Sequence, residues 1–273
     1  MQKTNFNYEI LIHDDASNDK TKLIINNIVK DMENIHLIFR ENNIVSKGGK
    51  IIPIFLKYAR GKYIALCDGD DYWIDPNKLQ KQVDFLQDNT NYSICFHPVK
   101  IFEFKNDFKN QDIEIGQQYS FYDLLNECFI HTSSFVFRKV SVKKVPKWFY
   151  KISQGDWALF IICAFNGEIG LLQSHMSVYR RHSAGIWTTQ SRLSRLKKEI
   201  RMFEDIARFY NIHGVFAFRK AQSIRYLKLS SLQRNSKQFS EANYNAFKSI
   251  YYWPISKNME AFKSILLFYF RYI

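Results

Sequence analysis

The sequence predicts an α/β protein, a mainly parallel sheet flanked by helices, followed by a helical C-terminal region. Three observations carry this. Apolar runs of strand length alternate with helix-period segments over the first hundred residues. Two of the runs end in aspartate clusters, Ile12-His13-Asp14-Asp15 and Cys67-Asp68-Gly69-Asp70-Asp71. Beyond residue 190 the apolar spacing is helical throughout.

The elements follow in order. Tyr8 to Ile12 reads as a buried strand, and 18–32 as a helix with Ile24, Ile25, Ile28, Val29 and Met32 on one face, capped by Ser17 or Asn18. A strand at His36–Phe39 and an apolar helix near 50–59 come next, then a strand at Tyr63–Cys67. Asp75-Pro76 is a helix opening, with Asp as N-cap, Pro at the first position, and Leu79, Val83 and Leu86 as the apolar face. Ser93–Phe96 is a further strand, and His131–Phe137 another. Gly155-Asp156-Trp157 opens an apolar helix. Short strands at 169–172 and 176–179 lead into Arg180-Arg181-His182. Strand and helix alternating at this spacing give parallel strands, whose ligands sit beyond the carboxyl ends. Both aspartate clusters fall there.

Composition narrows the class. With 46% hydrophobic and 16% aromatic residues, the 273-residue chain can bury a substantial core. No apolar stretch reaches the roughly 18 residues of a spanning helix, and Met1 to Asn7 lack the apolar segment of a secretory signal. The cysteines (Cys67, Cys95, Cys128, Cys163) form no CxxC pair and read as buried reduced thiols of a cytoplasmic protein. Net charge is +13, but unevenly placed. Residues 1–189 carry 23 Lys and Arg against 21 Asp and Glu, whereas 190–273 carry 16 against 5. The chain thus divides into a nearly balanced body, 1–189, and a basic helical extension, 190–273. That extension suits a membrane surface, a polyanion or nucleic acid; its aromatic, cationic end, Ala261 to Ile273, suits the bilayer interface. An amphipathic helical subdomain with solvated lysines accounts for it equally simply. No nucleic-acid motif occurs, so none is expected as partner.

Carboxylates crowded at a strand end repel one another, and a divalent cation is the usual remedy. Asp68-Gly69-Asp70-Asp71 is therefore a candidate metal site, although Asp and Gly also suit a plain turn. An EF-hand is excluded by Leu79 at the twelfth position, and no GxGxxG or GxxxxGK[ST] loop is present. Asp156 reads as a helix N-cap or as a base held at a helix start. Arg180, Arg181 and His182 are surface cations or anion ligands, and Trp73 and Trp157 fill core or stack on a sugar. His131 to Ser134 lines a pocket or is an ordinary core strand.

Two segments, Tyr8 to Thr21 and Gly61 to Trp73, resemble in order and spacing the two aspartate-bearing segments of family 2 glycosyltransferases. Gly155-Asp156-Trp157 and Tyr179-Arg180-Arg181-His182-Ser183 are similar to later positions of that family, so the likeness covers about residues 6–187. It implies a GT-A fold and inverting transfer of a sugar from a nucleoside diphosphate, expected to be UDP, to an acceptor hydroxyl. Asp14, Asp15, Asp68 and Asp70 would then bind the nucleotide, and Asp70, Asp71 and His182 a Mn²⁺ or Mg²⁺ ion. Asp156 would be the catalytic base; Arg180, Arg181, Trp73 and Trp157 would meet diphosphate or substrate. Nucleotide-sugar donors and glycan or lipid-linked acceptors are the implied partners, in cell-envelope polysaccharide synthesis. The implied place is the cytoplasm, with peripheral contact at the inner face of the cell membrane.

This sequence also departs from the family pattern. Members begin with a strand–helix unit upstream of the first segment, and this chain starts inside what should be its tail. The expectation is a GT-A domain lacking its first strand, with an inactive remnant that binds donor, acceptor or partner as the second reading. A basic membrane- or nucleic-acid-binding protein is the third. Lys20 replaces a usual Gly, and Asn43 to Gly49 replaces the usual Asn-x-Gly, which alters the ribose-side loop.

Overall fold

A computed structural model describes residues 1–103, 107–152, 154–182 and 190–253. The chain forms two compact units, one of Met1–Phe121 with Phe129–Arg181, the other of Tyr122–Cys128 with His182–Ile273. The first holds β1 (Ile10–Asp14), α1 (Thr21–Val29), β2 (Ile35–Phe39), α2 (Ile52–Tyr58), β3 (Tyr63–Ala65), β4 (Tyr72–Trp73), α3 (Lys78–Asp88), β5 (Tyr92–Phe96), β6 (Lys100–Glu103) and β7 (Asp107–Asn110). After α4 (Phe121–Asn126), which runs into the second unit, come β8 (Val136–Arg138), α5 (Gly155–Phe165), β9 (Glu168–Leu171) and β10 (Ser177–Arg180). The second unit adds α6 (Arg192–Tyr210), α7 (Phe216–Asn235) and α8 (Phe239–Tyr252).

The sheets are mixed, not mainly parallel. β1 pairs with β2, β5 with β9, and β10 with β6 in parallel; β8 is antiparallel to both β3 and β5, and β10 to β4. Apolar periodicity marks a strand but carries no direction. β8 enters after the long excursion through β6, β7 and α4, and that return sets its sense.

Three local expectations change. The stretch from His131 to Phe137 is a 3-10 turn, Thr132–Ser134, followed by the short β8. Both the amide and the hydroxyl of Ser134 donate to the His131 carbonyl, and such side-chain bonding competes with a strand ladder. Helix α3 starts two residues later than Pro76, with Asn77 at its N-cap, and Asp75 instead accepts the Asn77 amide at 2.8 Å and pairs with Lys81 at 2.7 Å. Helix α1 starts after Lys20, which offers no side-chain cap; Asp19, and not Ser17 or Asn18, accepts the Thr21 amide at 2.9 Å.

Cover is uneven in this unit. Helix α5 is buried along its length, with Leu159, Phe160, Ile161 and Ile162 at 3% exposure or less. At roughly 1.5–3 kcal/mol for each such side chain, this outweighs the cost of one acidic group at its start. Leu86, Cys95 and Val136 form a second knot under Tyr63, Phe85 and Tyr92. By contrast, the expected apolar face of α1 stays open: Ile24 and Ile28 are 53% and 68% exposed. Among the described residues β1 pairs with β2 alone, so this two-stranded sheet has little surface with which to cover a helix. Cys95 and Cys163 are buried thiols as expected, but Cys67 is exposed; none forms a disulfide.

The second unit is a packed helical bundle. Ser191 caps α6 by accepting the Ser194 amide, and Asn211 ends it in the left-handed conformation, where Asn is tolerated. Leu196, Ile200 and Leu229 make its core with Leu193, Tyr226 and Leu232. Within it lies Arg225, 3% exposed, stacked on Phe203 at 3.6 Å, paired with Glu199 at 2.5 Å and bonded to the Leu125 carbonyl. Among the described residues no helix is long and apolar enough to cross a membrane. Ala261 to Ile273, the expected interfacial end, lie outside the described residues.

Two stability outcomes test this packing. A Cβ at Gly167 would stand 2.7 Å from the Ser93 Cβ and 2.9 Å from the Asn91 carbonyl, so Gly167→Ala should cost about 1–3 kcal/mol in chemical denaturation. Arg225→Ala strands Glu199 and should cost about 3–5 kcal/mol, with the double variant Arg225→Met, Glu199→Leu clearly milder; equal losses would contradict the pairing.

Candidate functional site

The loop from β3 to β4 carries Asp68, Asp70 and Asp71, and three other segments meet it. The start of α5 brings Asp156 within electrostatic reach of Asp68. The end of β10 brings Arg180, whose amide donates to Asp71 Oδ1 at 2.9 Å and whose Nε donates to the Asp70 carbonyl. The Thr132–Ser134 turn brings hydroxyls: those of Thr132 and Ser133 favour the ionised forms of Asp68 and Asp71 respectively.

Solvent reaches Asp68, although protein crowds it on most sides, as befits a carboxylate in a cleft. Burial, then the charges of Asp156, Asp71 and Asp70, push its carboxyl up to about 7, against the pull of the Thr132 hydroxyl. Burial also raises Asp71, with the Arg180 amide opposing, and raises Asp156 against the backbone amides at the start of α5.

The upstream pair is engaged elsewhere. Asp14 Oδ1 accepts the Ser17 amide at 3.0 Å and lies 3.8 Å from Lys22. Burial alone would raise Asp14, but those partners hold it below the ordinary range. Asp15 accepts the Ile44 and Val45 amides, each at 2.9 Å, and so pins the start of the loop that departs from the family pattern.

Of the other expected residues, Arg181 pairs with Glu103 at 2.8 Å. Trp157 is 8% exposed and fills core. Trp73 donates its indole N–H to the Ser133 carbonyl at 2.9 Å. His182 opens the second unit, and Ser183 lies outside the described residues. Sequence reasoning named Tyr179 in its segment but gave it no role; its ring packs at a tilt against His131, centroids 4.6 Å apart, and it feels the charges of Asp71, Asp70 and Asp156. It weighed the turn at 132–134 but assigned it no partner. Three consecutive hydroxyl residues ahead of an apolar run were the available signal.

Among the described residues no three His, Cys, Asp or Glu side chains form a ready-made ligand group. The donor set nevertheless fits a hard cation. It is all oxygen, and its mutual repulsion raises Asp68, a strain that a divalent charge relieves. Mg²⁺ in particular takes one or two carboxylates and completes its shell with phosphate oxygens and water.

An α/β fold with an aspartate cluster just past a strand end fits a glycosyltransferase-like domain, and comparison with known proteins makes the class specific. The profile of glycosyl transferase family 2 matches residues 1–145, and the chain belongs to that family. An uncharacterized protein of Mycobacterium tuberculosis (strain ATCC 25618 / H37Rv) is 39% identical over 191 residues, covering 68% of this chain and 54% of its own length. The chain therefore spans about half the length of the mycobacterial relatives it matches. A UDP-Glc:alpha-D-GlcNAc-diphosphoundecaprenol beta-1,3-glucosyltransferase of Escherichia coli, WfaP, is 29% identical, covering 68% of this chain and 70% of that protein. Among solved structures, residues 1–349 of Staphylococcus aureus TarS match with a TM-score of 0.60 at 15% identity, over 92% of this chain and 74% of that one. A Pyrobaculum calidifontis mannosyltransferase in complex with GDP-Man and Mn²⁺ matches with a TM-score of 0.50 at 14% identity, over 89% and 76%. These likenesses show the GT-A fold.

If the carboxylates repel as described, Asp68→Asn should melt a few degrees above the parent in metal-free buffer near pH 8. A lower melting temperature would mean that the charge stabilises the site.

Proposed function

We propose that this chain transfers a sugar from a nucleoside diphosphate, UDP-linked, to an acceptor hydroxyl on a glycan or lipid-linked glycan, with inversion at the anomeric carbon. The observation that carries this reading is the meeting of Asp68, Asp70 and Asp71 with Asp156 and Arg180. Family membership supports it, as does the UDP-Glc and diphosphoundecaprenol specificity in the name of the E. coli relative.

Each group has a task. The loop carboxylates would face the ribose and diphosphate side, with Asp70 and Asp71 holding the cation. When bound, Mn²⁺ or Mg²⁺ supplies positive charge where the departing diphosphate gathers negative charge. Arg180 presents its guanidinium beside the same loop and suits phosphate oxygens. Asp156 takes the acceptor proton as the hydroxyl attacks the face opposite the leaving group, which is what inversion requires. Asp14 and Asp15 shape the nucleoside side through the backbone they hold. The basic extension, 190–273, favours work at the cytoplasmic face of the membrane.

The test is a screen of UDP- and GDP-sugars for Mn²⁺-dependent hydrolysis and transfer. Asp70→Ala and Asp156→Asn should each lower turnover by about 10²–10⁴-fold. Asp156 acts ionised, so kcat/KM should fall as pH drops through its raised pKa, giving an acid limb above the ordinary aspartate range. The same shift means that folding stability is lost as pH rises through that pKa. Asp156→Asn should therefore melt no lower than the parent at pH 8 while losing turnover. Unchanged turnover in both variants would remove the assignment.

A further inference from the structure

Among the described residues Lys78 is one of the largest fully buried side chains of the first unit, at 0% exposure, and the proposed reaction does not use it. Its Nζ donates to Gln82 Oε1 at 2.7 Å and sits 4.3 Å from the centre of the Trp73 ring. Each of those two neighbours reaches the same short turn. Trp73 Nε1 donates to the Ser133 carbonyl and Gln82 Nε2 to the Ser134 carbonyl, both at 2.9 Å. The Thr132 and Ser133 hydroxyls of that turn in turn favour the ionised forms of Asp68 and Asp71.

We propose that Lys78, with Gln82, is a positioning brace for the cation–diphosphate site, fixing the Thr132–Ser134 turn so that its hydroxyls aim Asp68 and Asp71. The inference rests on the glycosyltransferase reading above and adds a residue to it that touches no substrate.

The physical argument is one of cost. An ammonium taken wholly out of water is expensive, and burial lowers the Lys78 pKa to about 7. A methionine of similar length would fill the same space without that cost. What the methionine lacks is the charge that locks the Gln82 carbonyl and the Trp73 face. With its oxygen held by Lys78, the Gln82 amide has one orientation, with its N–H₂ group toward Ser134. Without it, the buried Gln82 oxygen has no donor, the side chain moves to find one, and the turn's support at Ser134 weakens. Removing the brace therefore loosens the carboxylates while leaving the core filled.

Two variants test it: Lys78→Met, and Gln82→Glu, which keeps an acceptor for Lys78 but removes the donor to Ser134. Each is compared with the parent and with Asp70→Ala. The readouts are melting temperature without metal, calorimetric binding of Mn²⁺ with UDP, and Mn²⁺-dependent turnover of UDP-glucose. The expected result is a melting temperature equal to or above the parent's in Lys78→Met, with Mn²⁺–UDP affinity about tenfold weaker in both variants. Parent-like affinity in both variants overturns the brace, and so does a lower melting temperature with affinity intact, which leaves Lys78 a core residue only. If Lys78→Met does not fold, Gln82→Glu decides by the same affinity criterion. Parent binding lost in Asp70→Ala but kept in the two variants refutes the brace and spares the site. Absence of Mn²⁺–UDP binding in the parent refutes the site, and the brace with it.

Discussion

Like charges held together in a cleft set the terms for the first unit. Asp68, Asp70, Asp71 and Asp156 come from two separate segments, and burial and mutual repulsion act on them together. At about 4 Å a pair of unit charges repels by about 1 kcal/mol in bulk water and by about 4 kcal/mol near a protein surface. Such a cluster does not assemble by itself, so the surrounding fold must hold it and a cation must neutralise it in use.

The fold supplies that hold from several directions. Helix α5 is anchored by its buried apolar side chains, which fixes the start where Asp156 stands. Strand β10 lies between β4 and β6, so Arg180 reaches the carboxylate loop across the β4 edge. The Thr132–Ser134 turn meets the same loop with hydroxyls and is tied below to Trp73 and Gln82. The repulsion is thus opposed by hydrogen bonds and one cation, while the apolar core carries the energetic load.

Much of this was legible in the sequence. The strand-end position of Asp68 to Asp71 follows from the apolar run before it, and Gly155-Asp156 reads as a helix start from the apolar segment after it. Both are local patterns, and both appear in the structure. The upstream pair was legible as a position but not as a set of contacts: Asp14 makes a local bond to the Ser17 amide, whereas Asp15 binds the amides of Ile44 and Val45, which no local spacing rule foretells. Trp157 and Trp73 were equally open between substrate and core. Their burial and partners depend on neighbours distant in the chain.

By itself, then, the sequence determined the alternation of strands and helices, the placing of acidic groups at strand and helix ends, and the split between a balanced body and a basic helical region. Each depends on residues within a few positions of one another, where periodicity, turn chemistry and charge act directly. The tertiary structure alone decided strand direction, the engagement of Asp14 and Asp15, the burial of Lys78, and the meeting of Asp68 with Asp156 and Arg180. Most of those depend on contacts between residues far apart in the chain, from 29 positions in the Asp15–Ile44 bond to 110 in the Asp70–Arg180 bond. Long-range contacts form only when the whole chain has closed its loops, and no local pattern records that cost.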